Sequence, residues 1–150
     1  MRNDGSRADR GVLLVEDNPD DVALTLRALS KAGVLNQVSI AADGAAAIDA
    51  LFGKAAEQLD PGLILLDLNL PKLNGIEVLR RIREEERTRY VPVVILTSSA
   101  EQEDIVAGYH FGANAYVRKP VRFSEFAEAV STLGMFWLML NQLVPTAQVG

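Results

Sequence analysis

Cysteine is absent from the 150 residues, so the chain has no disulfide, no thiol nucleophile and no thiolate metal site. Histidine occurs once, as His110, which reads as an ordinary surface or packing residue. No apolar run reaches the ~20 residues that a membrane span needs. Residues 1–10 are charged and lack the apolar centre of a signal peptide, so they are expected to form a mobile tail, and the cytoplasm is the expected compartment. Positive charge is in deficit: 15 Lys and Arg stand against 20 Asp and Glu, a net charge of −5. Nonspecific nucleic-acid binding depends on Lys and Arg neutralising phosphates, so nucleic acid is not an expected partner. What the chain does have is apolar residues, 49% of the total, enough to exclude global disorder. A single domain of this length buries roughly 70% of its unfolded surface and needs no covalent staple.

Two periods alternate along the sequence. Short apolar runs at Val12–Val15, Leu63–Leu66 and at 93–96 are rich in Val, Ile and Leu and end in polar or turn residues, as buried strands do. Weaker strands fit at Val38–Ala41 and 115–117. Helical spacing fills the gaps: 20–32, ending at Gly33 as C-cap; 45–52; 75–86; 102–111; and 123–133. The charged run at 80–89 reads as a solvated helix end. Five βα units imply a parallel sheet, and the unbroken apolar character of the first, third and fourth strands implies cover on both faces. The expected fold is α/β, a doubly wound five-stranded sheet of order 2-1-3-4-5.

Ligands of such a sheet bind beyond the carboxyl ends of its strands. There the sequence places Glu16 and Asp17, then Asp67, then Thr97, then Lys119. Each has an ordinary reading as a turn or cap residue. Together they deliver three carboxylates, a hydroxyl and an ammonium to one end of the sheet. Three carboxylates repel one another unless a cation joins them, and an oxygen-only donor set selects Mg2+ or Mn2+. Asp67 is then either a ligand or a nucleophile. As a nucleophile it forms an acyl phosphate, with metal and Lys119 neutralising the transferred group and Thr97 donating a hydrogen bond to it.

Four segments carry a resemblance. Val12-Leu-Leu-Val-Glu-Asp-Asn-Pro-Asp-Asp21 resembles the first strand and acidic pair of response-regulator receivers of two-component systems. Leu65-Leu-Asp-Leu-Asn-Leu-Pro-Lys-Leu-Asn-Gly75 is similar to their phosphoacceptor loop, with Gly75 as its turn glycine. Val94-Ile-Leu-Thr-Ser-Ser99 resembles their fourth strand with its switch threonine, and Ala115-Tyr-Val-Arg-Lys-Pro120 their last strand with its aromatic switch residue and Lys-Pro pair. The similarity spans about residues 11–133. It implies that Asp67 accepts the phosphoryl group, that Glu16, Asp17, Asp67 and the carbonyl of Asn69 hold Mg2+, and that Thr97 and Lys119 contact phosphate. It also implies that Tyr116 turns with Thr97 and that the Lys119–Pro120 bond is cis. Glu16 stands where many members have Asp. The family accepts its phosphoryl group from a histidine kinase, a phosphoacceptor role rather than that of an enzyme, though receivers promote their own phosphorylation and slow dephosphorylation. With His110 the only histidine, the donor must come from another protein, and the output is a protein contact or a phosphorelay. The run Val15-Glu-Asp-Asn-Pro-Asp-Asp21, with Phe136, Trp137 and Leu138, is most similar to the stand-alone regulators paired with bacterial phytochromes.

Three rival readings compete, of which the third, a degenerate receiver that only binds partners, is opposed by the intact set of site residues. A flavodoxin-like FMN binder needs a Gly, Ser or Thr loop after its first strand to receive phosphate on amides, where this chain has Glu16, Asp17, Asp20 and Asp21. An aspartyl phosphatase usually has a second Asp two residues after its nucleophile, where this chain has Asn69. The stretch Gly134-Met-Phe-Trp-Leu-Met-Leu-Asn-Gln-Leu-Val144 is uncharged, and eight of its eleven residues are apolar. Either it folds back as an extension of the fifth helix, or residues 134–150 form a dimerisation arm anchored by Phe136, Trp137, Leu138 and Leu140. The homodimer is the expectation.

Overall fold

A computed structural model describes residues 10–54, 58–71, 73–98 and 101–119, together with Ser124, Glu125, Glu128, Ala129 and Thr132. Five strands, β1 (Val12–Val15), β2 (Val38–Ala41), β3 (Leu63–Leu66), β4 (Val93–Thr97) and β5 (Ala115–Arg118), form one parallel sheet of order β2-β1-β3-β4-β5. Four helices lie between them: α1 (Pro19–Lys31), α2 (Gly44–Phe52), α3 (Gly75–Glu84) and α4 (Gln102–His110). The five further residues are helical and fall within the fifth helix expected from the sequence.

Every residue of β1, β3 and β4 is buried, whereas the edge strands β2 and β5 are mostly half-exposed. That is the cover on both faces that the apolar runs imply. The two-residue period sorts each central strand between two cores. Leu13, Val15, Ile64, Leu66 and Ile95 pack with Leu51, Val78, Leu79 and Ile82 of α2 and α3. Val12, Leu14, Leu63, Leu65, Val94 and Leu96 pack with Ala28 and Leu29 of α1. Truncating one such leucine to alanine removes roughly 2–5 kcal/mol.

The helices start where polar caps allow. The Asn18 side chain accepts from the amides of Asp20 and Asp21, Asp43 from Ala46, and Asn74 from Glu77. The end of α1 differs by one residue from the sequence expectation. Ala32 is the cap, and Gly33 follows it at φ 84°. The Gly33 amide donates to Ser30 and the Val34 amide to Leu29, the paired bonds of a Schellman turn.

The third helix stops at Glu84, short of the expected residue 86, and a 3-10 turn covers Glu86–Thr88. Buried Thr88 turns back and donates its hydroxyl to the Ile82 carbonyl at 2.7 Å, satisfying an acceptor that more helix would have taken. The run at 80–89 is also not simply solvated. Arg80, Arg81, Glu84, Glu86 and Arg89 are exposed, but Arg83 and Arg87 turn inward. Arg83 donates to the carbonyls of Gly112 (2.9 Å), Arg89 (2.9 Å) and Val91 (2.7 Å) and to Asn114 Oδ1 (2.9 Å). Arg87 donates to the carbonyls of Leu59 and Leu51. Guanidinium forks thus tie the loops at the amino end of the sheet.

Candidate functional site

The carboxyl ends of β1, β3, β4 and β5 meet at one point, and the chemistry lies in Thr97, the last residue of β4, and in the residues just after the other three. Asp67 follows β3, with its amide donating to the Val15 carbonyl at 3.0 Å. Its chain is held from the far side by Gly75, whose amide donates to the Leu68 carbonyl at 3.0 Å. A Cβ on Gly75 would lie 2.4 Å from the Asp67 carbonyl oxygen and 2.6 Å from Leu68 Cα, so the close approach requires glycine.

The two oxygens of buried Asp67 are held differently. Oδ1 accepts from the Thr97 hydroxyl at 2.7 Å and from the Asn69 amide at 3.0 Å. Oδ2 faces the Lys119 ammonium at 2.9 Å. Lys119 also reaches Glu16 Oε1 at 2.5 Å and Asp21 Oδ2 at 2.8 Å. The other oxygen of Glu16 accepts from the Asn18 amide at 3.1 Å. One carboxylate oxygen from each of Glu16, Asp17 and Asp67 lies within 4.8 Å of the others.

These contacts set the charge states. Burial pushes Glu16 up to about 7; the neighbouring Asp67 charge adds to the rise and Lys119 opposes it. Burial also raises Asp67, but the Asn69 amide, the Thr97 hydroxyl and Lys119 together outweigh it and leave this carboxyl below its ordinary value. Lys119 is lowered by burial and raised further by Asp21, Glu16 and Asp67, so it stays charged. Three carboxylates therefore meet one ammonium, and a fourth, Asp17, converges with Glu16 and Asp67. An excess of anionic oxygen, with no nitrogen or sulfur donor among these residues, fits a hard divalent cation.

The sequence expectation named Glu16, Asp17, Asp67, Thr97 and Lys119, and the fold brings all five together. Asn69 is present through its amide, with an exposed side chain. Tyr116 is half-buried on β5 opposite Ile95, packed against the core shared with α3. Its ring lies over α4 at Gly108, where a Cβ would stand 3.3 Å from one ring carbon and 2.7 Å from Ile95 Cδ1. Asp21 was missed as a site residue, because an acid in the first turn of a helix ordinarily reads as a partner of the helix dipole. Its signal was its place in a run of four acids around the first strand end. Phe136, Trp137, Leu138, Leu140 and the Lys119–Pro120 bond lie outside the described residues.

Comparisons with known proteins agree with this geometry. The family model "Response regulator receiver domain" matches residues 12–131. The chain is 37% identical over 132 residues to the probable methanogenesis regulatory protein FilR2 of Methanothrix harundinacea, covering 87% of this chain and 85% of that one. It is 36% identical over 138 residues to response regulator Rcp1 of Synechocystis, covering 91% and 94%. A crystal structure of the Mn2+-bound form of Rcp1 superposes with a TM-score of 0.84 at 35% identity, covering 90% of this chain and 99% of that one. The bacteriophytochrome response regulator RtBRR is 46% identical, with a TM-score of 0.71 and 93% and 87% covered. Among the described residues no helix is long and apolar enough to cross a membrane. With the family model spanning most of the chain, on a parallel sheet of order 2-1-3-4-5 with an acidic cluster at its carboxyl end, this protein belongs to the response-regulator receiver family.

Proposed function

We propose that Asp67 of this receiver accepts a phosphoryl group from the phosphoimidazole of a histidine kinase, and that the change at Asp67 alters a protein-interaction surface. The observation that carries the reading is the asymmetry of Asp67. Thr97 and Asn69 hold Oδ1, while Oδ2 faces a lysine and has one donor among the described residues. Oδ2 is thus the nucleophile. Its bond to phosphorus forms as the P–N bond breaks, and the imidazole leaves with the bonding pair and takes a proton from solvent. Lys119 neutralises an oxygen of the transferring group. Glu16, Asp17, Asp67 and the main-chain carbonyl of Asn69 are the residues that would hold Mg2+, or Mn2+ in its place. When bound, such a cation neutralises charge on the transferring oxygens. The acid trio supports that assignment.

The transferred group adds roughly −1.5 to −2 charge, and the Thr97 hydroxyl turns from Asp67 toward it. Tyr116 moves into the space released, which couples the site to α4 and β5. The likeness to RtBRR supports a kinase of the phytochrome type, acting in the cytoplasm by direct contact or phosphorelay. Residues 134–150 supply a homodimer contact through Phe136, Trp137, Leu138 and Leu140, a reading that rests on the apolar sequence alone.

Acetyl phosphate with Mg2+ is expected to add one phosphoryl group by intact mass, with peptide mapping placing it on Asp67. Asp67→Asn keeps the shape and loses the nucleophile, so labelling as strong as the parent's refutes the assignment. In sedimentation, truncation after Leu133 is expected to turn a dimer into a monomer. A parent that is monomeric at high concentration, phosphorylated or not, removes the dimer.

A further inference from the structure

The first turn of α1 carries two adjacent acids, and they do different things. Asp20 is exposed, as expected of a residue that only complements the helix dipole. Asp21 is half-buried, and its carboxylate meets Lys119, 98 positions away in sequence, at 2.8 Å. Its backbone is fixed at both polar atoms. The amide donates to Asn18 Oδ1 at 3.2 Å and the carbonyl accepts from the Thr25 hydroxyl at 2.8 Å. The carboxylate is therefore delivered from a rigid turn.

An ammonium has three hydrogens, and Lys119 points to three different carboxylates: Glu16, Asp21 and Asp67. Glu16 and Asp67 belong to the trio whose oxygens converge, and Asp21 does not. A cation on that trio draws on the lone pairs that Lys119 uses at two of its three partners, and it repels the ammonium as well. A lysine side chain gains rotamer entropy by leaving for solvent. The remaining anchor is Asp21.

We propose that Asp21 is a positioning residue for phosphoryl transfer, keeping the Lys119 ammonium beside Asp67 once a divalent cation is on Glu16 and Asp67. This rests on the phosphoacceptor reading above. Asp21 is neither ligand nor nucleophile; it acts through Lys119. Its removal slows transfer without emptying the metal site, because a displaced charge near the reacting atoms costs rate rather than cation affinity.

The test measures initial phosphorylation rates with acetyl phosphate, so that no kinase surface enters, across a Mg2+ series for the parent, Asp21→Asn, Asp21→Ala and Asp21→Glu. Circular dichroism checks that each is folded. The expected result for Asn and Ala is a maximal rate about tenfold lower at saturating Mg2+, with the half-saturating Mg2+ concentration changed by less than about threefold. The Glu variant restores the charge and most of the rate. Three results would overturn the proposal: a parental maximal rate in Asp21→Asn, a deficit that vanishes at high Mg2+, or no gain from Glu over Ala. A parent protein that takes no label refutes the phosphoacceptor reading instead, so the two failures are distinct.

Discussion

At the carboxyl end of the sheet Lys119 is ringed by acids, and at the amino end Arg83 is ringed by carbonyls. Both are cations drawn inward, and both bridge segments distant in sequence. Arg83 meets neutral oxygens from Gly112, Arg89, Val91 and Asn114, with Nε, Nη1 and Nη2 of its planar fork all engaged and Nη1 serving two of them. Nothing there is in excess, and no other cation has a reason to enter. Lys119 meets three carboxylates with a fourth, Asp17, close by, so negative charge is left over. The first arrangement locks loops together. The second is a placeholder whose partners are also those a metal and a phosphoryl group would use.

Substitutions separate the two roles. Arg83→Met is expected to cost the most stability, about 3 kcal/mol in urea unfolding, because it strands the part-buried carbonyls of Gly112 and Val91. Arg83→Lys recovers little, since a point charge cannot replace the fork. Folded Arg83→Met retains the parental phosphorylation rate; a large loss there would mean that the amino end takes part in the chemistry. Lys119→Met is expected to cost about 2 kcal/mol without metal, less than a fully enclosed ion pair because Asp17 and Asp21 open to water. Added Mg2+ recovers that loss, and calorimetry should show Mg2+ binding about tenfold tighter than in the parent, as a competing cation has gone. Weaker binding would break the comparison. The smallest effect is expected from Thr97→Ala, about 1 kcal/mol for one hydrogen bond. Asp67 still takes phosphate in this variant, but the NMR shifts that phosphorylation produces on α4 and β5 shrink. Shifts equal to the parent's would remove Thr97 from the coupling.

The same contrast explains what could be read in the sequence. The central strands were legible because burial on both faces leaves unbroken runs such as Leu63–Leu66, and topology then put Glu16, Asp17, Asp67, Thr97 and Lys119 at one end. Residues that act at strand ends announce themselves by position. Arg83 gave no such signal: in a run of mixed charge, nothing local says which side chain turns inward. The same holds for Asp21, whose partner comes from the far end of the chain. The early stop of α3 depends on Thr88 folding back to Ile82, a tertiary contact that helical spacing does not encode.

The Lys119 amide donates to the Thr97 carbonyl at 2.7 Å, one rung beyond the pairing of Thr97 with Arg118. Two residues proposed to touch the same phosphoryl group are thus stitched together through their main chains. Neither strand end can advance toward the group without carrying the other, so the frame keeps its dimensions while the charge on it changes. Motion is left to torsions, and a β-branched threonine has few of those. The readout is therefore stepwise: a hydroxyl points to Asp67 or away from it, and the sheet does not average the two.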